Sequence, residues 1–347
     1  MAQVDRDSEA DTGVRQEPAG GTDAKARTRL YQDGVLVREN FPVEDVSDYV
    51  GTPGAAVWVD LLAPGVDDLA VVADELGLHQ LAVADAVGTR QRPKLDRYCT
   101  HDFLNMYAIG LDAATGSLRQ SELSAFITPR ALVTVRKDEA FDIDDVVRRW
   151  DGSPDLARFG VGFLLYALID HVVDGHFETV QELDEQIDQL EDMLFAEGTG
   201  NEELQRRSFA LRKSLVTLRR VVLPMREVVN TLMRRDLQVV SDEMAPYYQD
   251  VYDHVLRATE WTESLRDLVA TILETNLTLQ GNRLNVITKK VTSWAAIIAV
   301  PTAITGWYGQ NLPYPGFADR SGLIASVVLI VAVSGALYVT FRRKDWL

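Results

Sequence analysis

The chain has 347 residues, 46% hydrophobic and 25% charged, with a formal net charge of −17. That length holds about two domains, and the acidity argues against a nucleic-acid partner, because a phosphate backbone requires a basic surface. One cysteine and five histidines leave no internal disulfide and no zinc-ligand spacing.

Residues 1–28 mix charges of both signs with Gly and Ala and hold no apolar core. They predict a disordered tail rather than a signal peptide, which leaves the bulk of the chain in the cytoplasm. Residues 29–155 read as an α/β domain, with α+β as the alternative. Strands are expected at RLYQDGVLV (29–37), AAVWVDLL (55–62), HDFLNMYAIGLD (101–112), SELSAFIT (121–128) and ALVTVR (131–136), from β-branched and aromatic content. VDDLAVVADELGL (66–78) and LAVADAV (81–87) carry helical periodicity.

Beyond Asp142 strands all but disappear, and residues 156–290 read as a helical stalk. One helix is expected over Gly160–Phe195, stopped by Gly198 and Gly200, and a second over Glu202–Val240, interrupted or kinked at Pro224. A third starts after Pro246. It meets no proline and only Gly281 before Val300, so it continues from the soluble part into the first apolar segment. Sixty residues of helix span roughly 90 Å. His171 and His176, five apart on the first of these helices, do not share a face well and read as structural.

The third helix carries two seams. Val251, Val255, Ala258, Leu265, Val269 and Ile272, with Thr262 as the polar interruption, have the four-three spacing of a bundle core. Glu260, Ser264, Asp267, Thr271, Glu274, Thr278, Gly281 and Asn285 form a polar seam. It passes without a break into Thr288, Val291, Ala295, Ala299, Thr302 and Gly306, a narrow stripe of small or hydroxylated residues. Spacing alone leaves this stripe as either a packing seam, since small residues mark helix packing in bilayers, or a pore lining.

Residues 291–308 and 322–341 are uncharged and match a hydrocarbon core about 30 Å thick, giving two transmembrane helices joined by a loop over 309–321. Pro301 is tolerable in the first, where neighbouring helices can satisfy the freed carbonyl. Lys289 and Lys290 precede the first span, and Arg342, Arg343 and Lys344 follow the second in a basic terminus, 342–347. The loop carries only Asp319 and Arg320, so both termini are expected in the cytoplasm and the loop outside. Two spans cannot enclose water, so conduction requires several copies around one axis, with the first span inward and the second facing lipid. No Gly-rich phosphate loop, nucleophile elbow or His-Glu-x-x-His motif is present, so neither an ATP site nor an enzyme is expected.

The stretches LGLHQLAVADAVGTRQRPKLDRY (76–98), LVTVR (132–136), YYQDVYDHVLRATEW (247–261), NRLN (282–285), GWYGQN (306–311) and FRRKDWL (341–347) resemble the CorA-type magnesium transporter family over nearly all the ordered chain. The resemblance implies a homopentameric funnel: a cytoplasmic α/β domain, long stalk helices and two C-terminal transmembrane helices. The family signature is Tyr-Gly-Met-Asn; here Tyr308, Gly309 and Asn311 keep three positions and Gln310 replaces Met. That departure leaves Mg²⁺ as the first candidate ion and Zn²⁺, Co²⁺ or Ni²⁺ as alternatives, since relatives with altered central residues include zinc transporters of the ZntB type. The implied role of the four residues is a selectivity filter in which the Asn ring meets a hydrated cation at the outer mouth. Mg²⁺ sheds its waters reluctantly, so neutral amides can bind the water shell without stripping or trapping the ion.

The resemblance also assigns regulatory Mg²⁺ to Asp85 and Asp250 on neighbouring subunits, with Asp253 as a further ligand or a surface ion pair. The commonly acidic neighbour of Asp85 is Ala84 here, one ligand fewer. Glu274 matches an acidic ring at the cytoplasmic end of the pore, while Thr288, Val291 and Ala299 stand where the family often has bulky gating rings. Lys289, Lys290, Arg342, Arg343 and Lys344 form a basic collar that serves topology and lipid anchoring, with gating as a second role. A membrane-bound cation sensor that does not conduct is the alternative from another class.

Overall fold

The computed structural model describes residues 25–88, 91–112, 117–195, 201–234, 239–310, 313 and 319–347. They fall into two compact units, one of the described residues of 1–192 and 200–267, the other of the described residues of 193–199 and 268–347.

The first unit is built on a seven-stranded sheet. Its strands are β1 (Lys25–Gln32), β2 (Val35–Glu39), β3 (Ala55–Leu62), β4 (Lys94–Arg97), β5 (Asp102–Leu111), β6 (Leu118–Ile127) and β7 (Ala131–Arg136). Their spatial order is β2-β1-β3-β7-β6-β5-β4. Every pairing is antiparallel except β3 with β7. The expected tail end is corrected here, because β1 already begins at Lys25. The single strand expected over 29–37 is a hairpin. It turns at Asp33 and Gly34, whose φ values of 50° and 86° are the left-handed pair that a tight two-residue hairpin demands.

Both faces of the sheet are covered, and the period of two in each strand divides its side chains between two cores. Val57, Val59 and Leu61 of β3, with Val133 and Val135 of β7, pack with Val46, Leu69, Val72, Ala82 and Ala86. These last come from helices α1 (Val46–Val50), α2 (Val66–Leu76) and α3 (Gln80–Val87). Trp58 and Leu132 turn the other way and join Val147 and Trp150 of α4 (Ile143–Asp151) and the long helices. A short helix, α5 (Pro154–Ala157), leads into α6 (Val161–Phe195), α7 (Asn201–Leu232) and α8 (Ala245–Tyr308). Helix α7 runs on through Pro224 and ends at Leu232, eight residues before the expected end. The expected stops at Gly198 and Gly200 lie outside the described residues.

Helix α8 is unbroken over 64 residues. Its apolar seam is buried throughout: Val251, Val255, Ala258, Thr262, Leu265, Val269 and Ile272 are all 3% exposed or less. The Thr262 hydroxyl donates to the Ala258 carbonyl at 2.7 Å, so the polar interruption buries no unpaired donor. In the second unit, α9 (Arg320–Arg343) has a mean hydropathy of 2.4. It is the one helix among the described residues long and apolar enough to cross a membrane by length and composition.

The parallel junction of β3 and β7 buries an ion pair. Asp60 accepts from Arg136 Nη2 at 2.7 Å and Nε at 3.1 Å, and from Thr134 Oγ1 at 2.7 Å, which itself accepts from Trp58 Nε1 at 3.1 Å. Asp60 is fully buried and Arg136 is 7% exposed. Removing one partner strands the other charge away from water. Asp60→Ala is therefore expected to destabilise the fold by about 3–5 kcal/mol, measured as a fall in the urea midpoint of the purified chain.

Candidate cation sites

Helix α3 presents Asp85. His79 caps its start, Nδ1 accepting from Leu81 N at 3.2 Å. Lys137 ties its end, Nζ donating to the carbonyls of Ala86 and, at 2.8 Å, Gly88. Burial pulls the Lys137 ammonium below its ordinary pKa, with Glu122 opposing. Asp85 itself is partnered within the chain. Lys94 Nζ lies 2.6 Å from its Oδ2, and Gln91 Nε2 donates to Oδ1 at 3.4 Å. Lys94 also lies 2.6 Å from Asp96 Oδ2. Burial alone would lower the Lys94 pKa, but its bonds to Asp85 and Asp96 hold it above the usual lysine value.

Asp250 and Asp253 stand on α8. The Asp250 side chain is 64% exposed, with Oδ2 4.0 Å from His254 Nε2. Asp253 accepts from Gln249 Nε2 at 3.0 Å. Among the described residues, Asp85 shares no hydrogen bond or ion pair with either of them.

A third group was not anticipated. One ligand atom each from Asp170, Asp174 and His254 lie within 4.8 Å of one another, a set that could hold a metal ion. Arg149 pairs with Asp170 at 2.7 Å and with Asp174 at 3.7 Å, and His254 Nδ1 lies 3.9 Å from Asp174 Oδ1. Burial raises the Asp170 pKa, opposed by Arg149. Asp174 also lines a cavity of about 260 Å³ with Asp142, His171 and Glu178. The signal lay in spacing: Asp170 and Asp174, like Asp250 and His254, are four apart and share a helix face.

In the second unit, Glu274, Asn285, Thr288, Val291, Ala295, Ala299, Thr302 and Gly306 are all exposed. The sheltered side of the same helix runs through Ser293, Ala296, Ile297, Val300 and Ile304. Thr302 Oγ1 donates to the Ile298 carbonyl at 3.1 Å and Thr305 Oγ1 to that of Pro301 at 2.8 Å. Helix α8 ends at Tyr308, after which Gly309 N reaches Thr305 O at 2.8 Å and Gln310 N reaches Trp307 O at 3.3 Å. Asn311 lies outside the described residues. Lys289 and Lys290 are exposed on α8; Arg342 and Arg343 close α9, where cations suit the helix dipole, and Lys344 caps it.

A family model described as CorA-like Mg2+ transporter protein matches residues 53–343. The chain belongs to that family, whose members are divalent-cation transporters rather than enzymes. It is 30% identical over 310 residues to YfjQ of Bacillus subtilis (strain 168), spanning 89% of this chain and 94% of that protein. It is 27% identical over 323 residues to the cobalt/magnesium transport protein CorA of Thermotoga maritima, spanning 89% and 91%. The solved CorA magnesium transporter of Methanocaldococcus jannaschii covers 93% of this chain and 98% of its own, with a TM-score of 0.74. At 21% identity that likeness bears on the fold alone.

His176 is wholly buried and donates from Nε2 to the Tyr107 carbonyl at 2.7 Å. Burial pushes its pKa down to about 4, the bond to Tyr107 opposing. The ring is neutral when folded, so the unfolded chain binds the extra proton between about pH 6.5 and pH 4, and stability falls as pH drops through that window. His176→Gln keeps an N–H for Tyr107 and is expected to flatten part of that decline, read as melting temperature against pH.

Proposed function

We propose that the chain is one subunit of a homopentameric Mg²⁺ channel of the cell membrane, with uptake driven by the membrane potential and shut by intracellular Mg²⁺. The observation that carries this reading is the stripe from Asn285 to Gly306, uncharged and exposed along one continuous helix. A single chain gives that stripe no facing wall; five copies around an axis do. Residues 291–308 then line the pore and α9, only 6% buried in its apolar window, faces lipid. Lys289, Lys290, Arg342, Arg343 and Lys344 form the collar on the cytoplasmic side, with both termini there.

Tyr308, Gly309, Gln310 and Asn311 form the selectivity filter at the outer mouth. Its amides grip the water shell of the ion and let go of it again, as conduction requires. Glu274 attracts cations at the inner end. Asp85 of one copy and Asp250 of the next, with Asp170, Asp174, His254 and Asp253 nearby on the Asp250 side, hold the regulatory ion. Bound, it joins carboxylates that otherwise repel and favours a closed state; its loss frees the subunits. Gln310 in place of the family Met favours a second reading, in which Zn²⁺, Co²⁺ or Ni²⁺ is the preferred cargo.

Purified protein in liposomes with an internal ion-sensitive dye tests both readings. Mg²⁺ entry that rises with an inside-negative potential is expected, and faster entry of Zn²⁺, Co²⁺ or Ni²⁺ would favour the second reading. Asn311→Ala is expected to reduce entry at least ten-fold while the oligomer persists; parental flux would remove the filter. Asp85→Asn combined with Asp250→Asn is expected to abolish protection from proteolysis by Mg²⁺, and unchanged protection would remove the regulatory site.

A further inference from the structure

The carboxylate expected to receive the regulatory ion already holds a cation. Lys94 Nζ sits 2.6 Å from Asp85 Oδ2 and 2.6 Å from Asp96 Oδ2. The side chains of Lys94 and Asp85 are each 30% exposed, and the Lys94 ammonium lies 5.9 Å from the centre of the Phe103 ring. Neither partner is loosely placed. Lys94 stands on β4, held in register opposite Asn105 of β5, and the end of α3 is pinned by Lys137. This is a fixed pair, and the lysine has two alternative carboxylates within reach.

We propose that Lys94 is a built-in competitor for the divalent cation at Asp85, and so sets the ion concentration at which that site fills. The inference rests on the regulatory reading of Asp85 given above. An ammonium group and a divalent ion cannot share one carboxylate oxygen, because Mg²⁺ requires an approach of about 2.0–2.1 Å and like charges a few ångströms apart repel strongly outside bulk water. With Lys94 in place, two carboxylates face one ammonium, a net charge of −1; without it the same pair offers −2 to an arriving cation. Entry of the ion at Oδ2 therefore requires Lys94 to release Asp85, and entry at Oδ1, which accepts only a 3.4 Å bond from Gln91, is opposed by the charge of the adjacent ammonium. The displaced ammonium keeps Asp96 as its partner and is not left bare in a half-buried place. The competitor therefore raises the filling concentration without blocking the site.

The test is protection of the full-length chain from proteinase K as MgCl₂ is titrated, comparing Lys94→Gln, Lys94→Met, Lys94→Arg and Asp85→Asn. A half-buried ion pair of ordinary strength corresponds to a shift of about three- to five-fold. The midpoint is expected to fall by that factor in Lys94→Gln and Lys94→Met and to stay within about two-fold of the parent in Lys94→Arg. A lysine that merely supported the fold would give the opposite sign, a higher midpoint and a lower melting temperature without Mg²⁺. A midpoint unchanged or raised in both neutral variants overturns the competitor while leaving the site in place. Protection that survives in Asp85→Asn overturns the site itself, and the competitor with it.

Discussion

The constraint on which the structure depends is one backbone with two different environments. Helix α8 is continuous from Ala245 to Tyr308. Its first half is paid for by burial of a complete apolar seam, whereas every residue from 281 to 292 is exposed. Among those are Leu284, Val286, Ile287 and Val291, each between 49% and 64% exposed. An isolated helical stretch is marginal in water and gains its stability from packing. Among the described residues nothing packs against that stretch; in the proposed assembly other copies would cover it. The proposed pentamer answers that demand, and it turns the uncharged stripe of the same helix toward a shared axis.

The acidic balance of −17 is managed locally rather than left bare. Asp170 has Arg149, Asp85 has Lys94, and Asp250 lies near His254. Each of these three carboxylates is thus near a basic group of its own chain. Such pairs are partly exposed, and exposed ion pairs add little stability. They bear more on how readily an ion is taken up. A carboxylate without a partner would bind at lower concentrations and release later; in the proposed regulatory site a partnered one would answer only when the ion is abundant.

Much of the fold was legible because burial writes a period into sequence. Strands β3 and β7 match their expected bounds residue for residue, since both faces are covered and each run is apolar but for Asp60, Thr134 and Arg136, which pair with one another. The α8 seam was read correctly, Thr262 included, because four-three spacing survives one hydroxyl that bonds back to its own helix. The hairpin was hidden by reading through Asp33 and Gly34, although the turn signal was present. Strand β4, with sequence KLDR, was missed because it is short and polar and pairs only with β5 at the sheet edge. That omission had a chemical consequence. A strand places Lys94 and Asp96 on one face, and without it neither could be seen beside Asp85. Asp170, Asp174 and His254 stayed unseen for another reason: two pairs with helical spacing on helices far apart in sequence meet only in three dimensions.

The chemistry of the α8 stripe also limits how an ion can travel along it in the proposed path. From Asn285 to Gly306 the stripe offers an amide, hydroxyls, small apolar side chains and no carboxylate. Even the Thr302 hydroxyl spends its proton on the Ile298 carbonyl, which leaves it an acceptor toward the axis. Acceptors without charge are poor replacements for the tightly held inner waters of Mg²⁺, an ion that demands near-ideal octahedral oxygen coordination and dehydrates reluctantly. They can accept hydrogen bonds from those waters. A stripe of this composition therefore suits a cation that passes hydrated. Thr288, Val291 and Ala299 are small for a side-chain plug, so in the proposed path a hydrophobic gate would be wider, or closure would come from movement of the helices, the motion that a regulatory ion bridging neighbouring subunits would restrain.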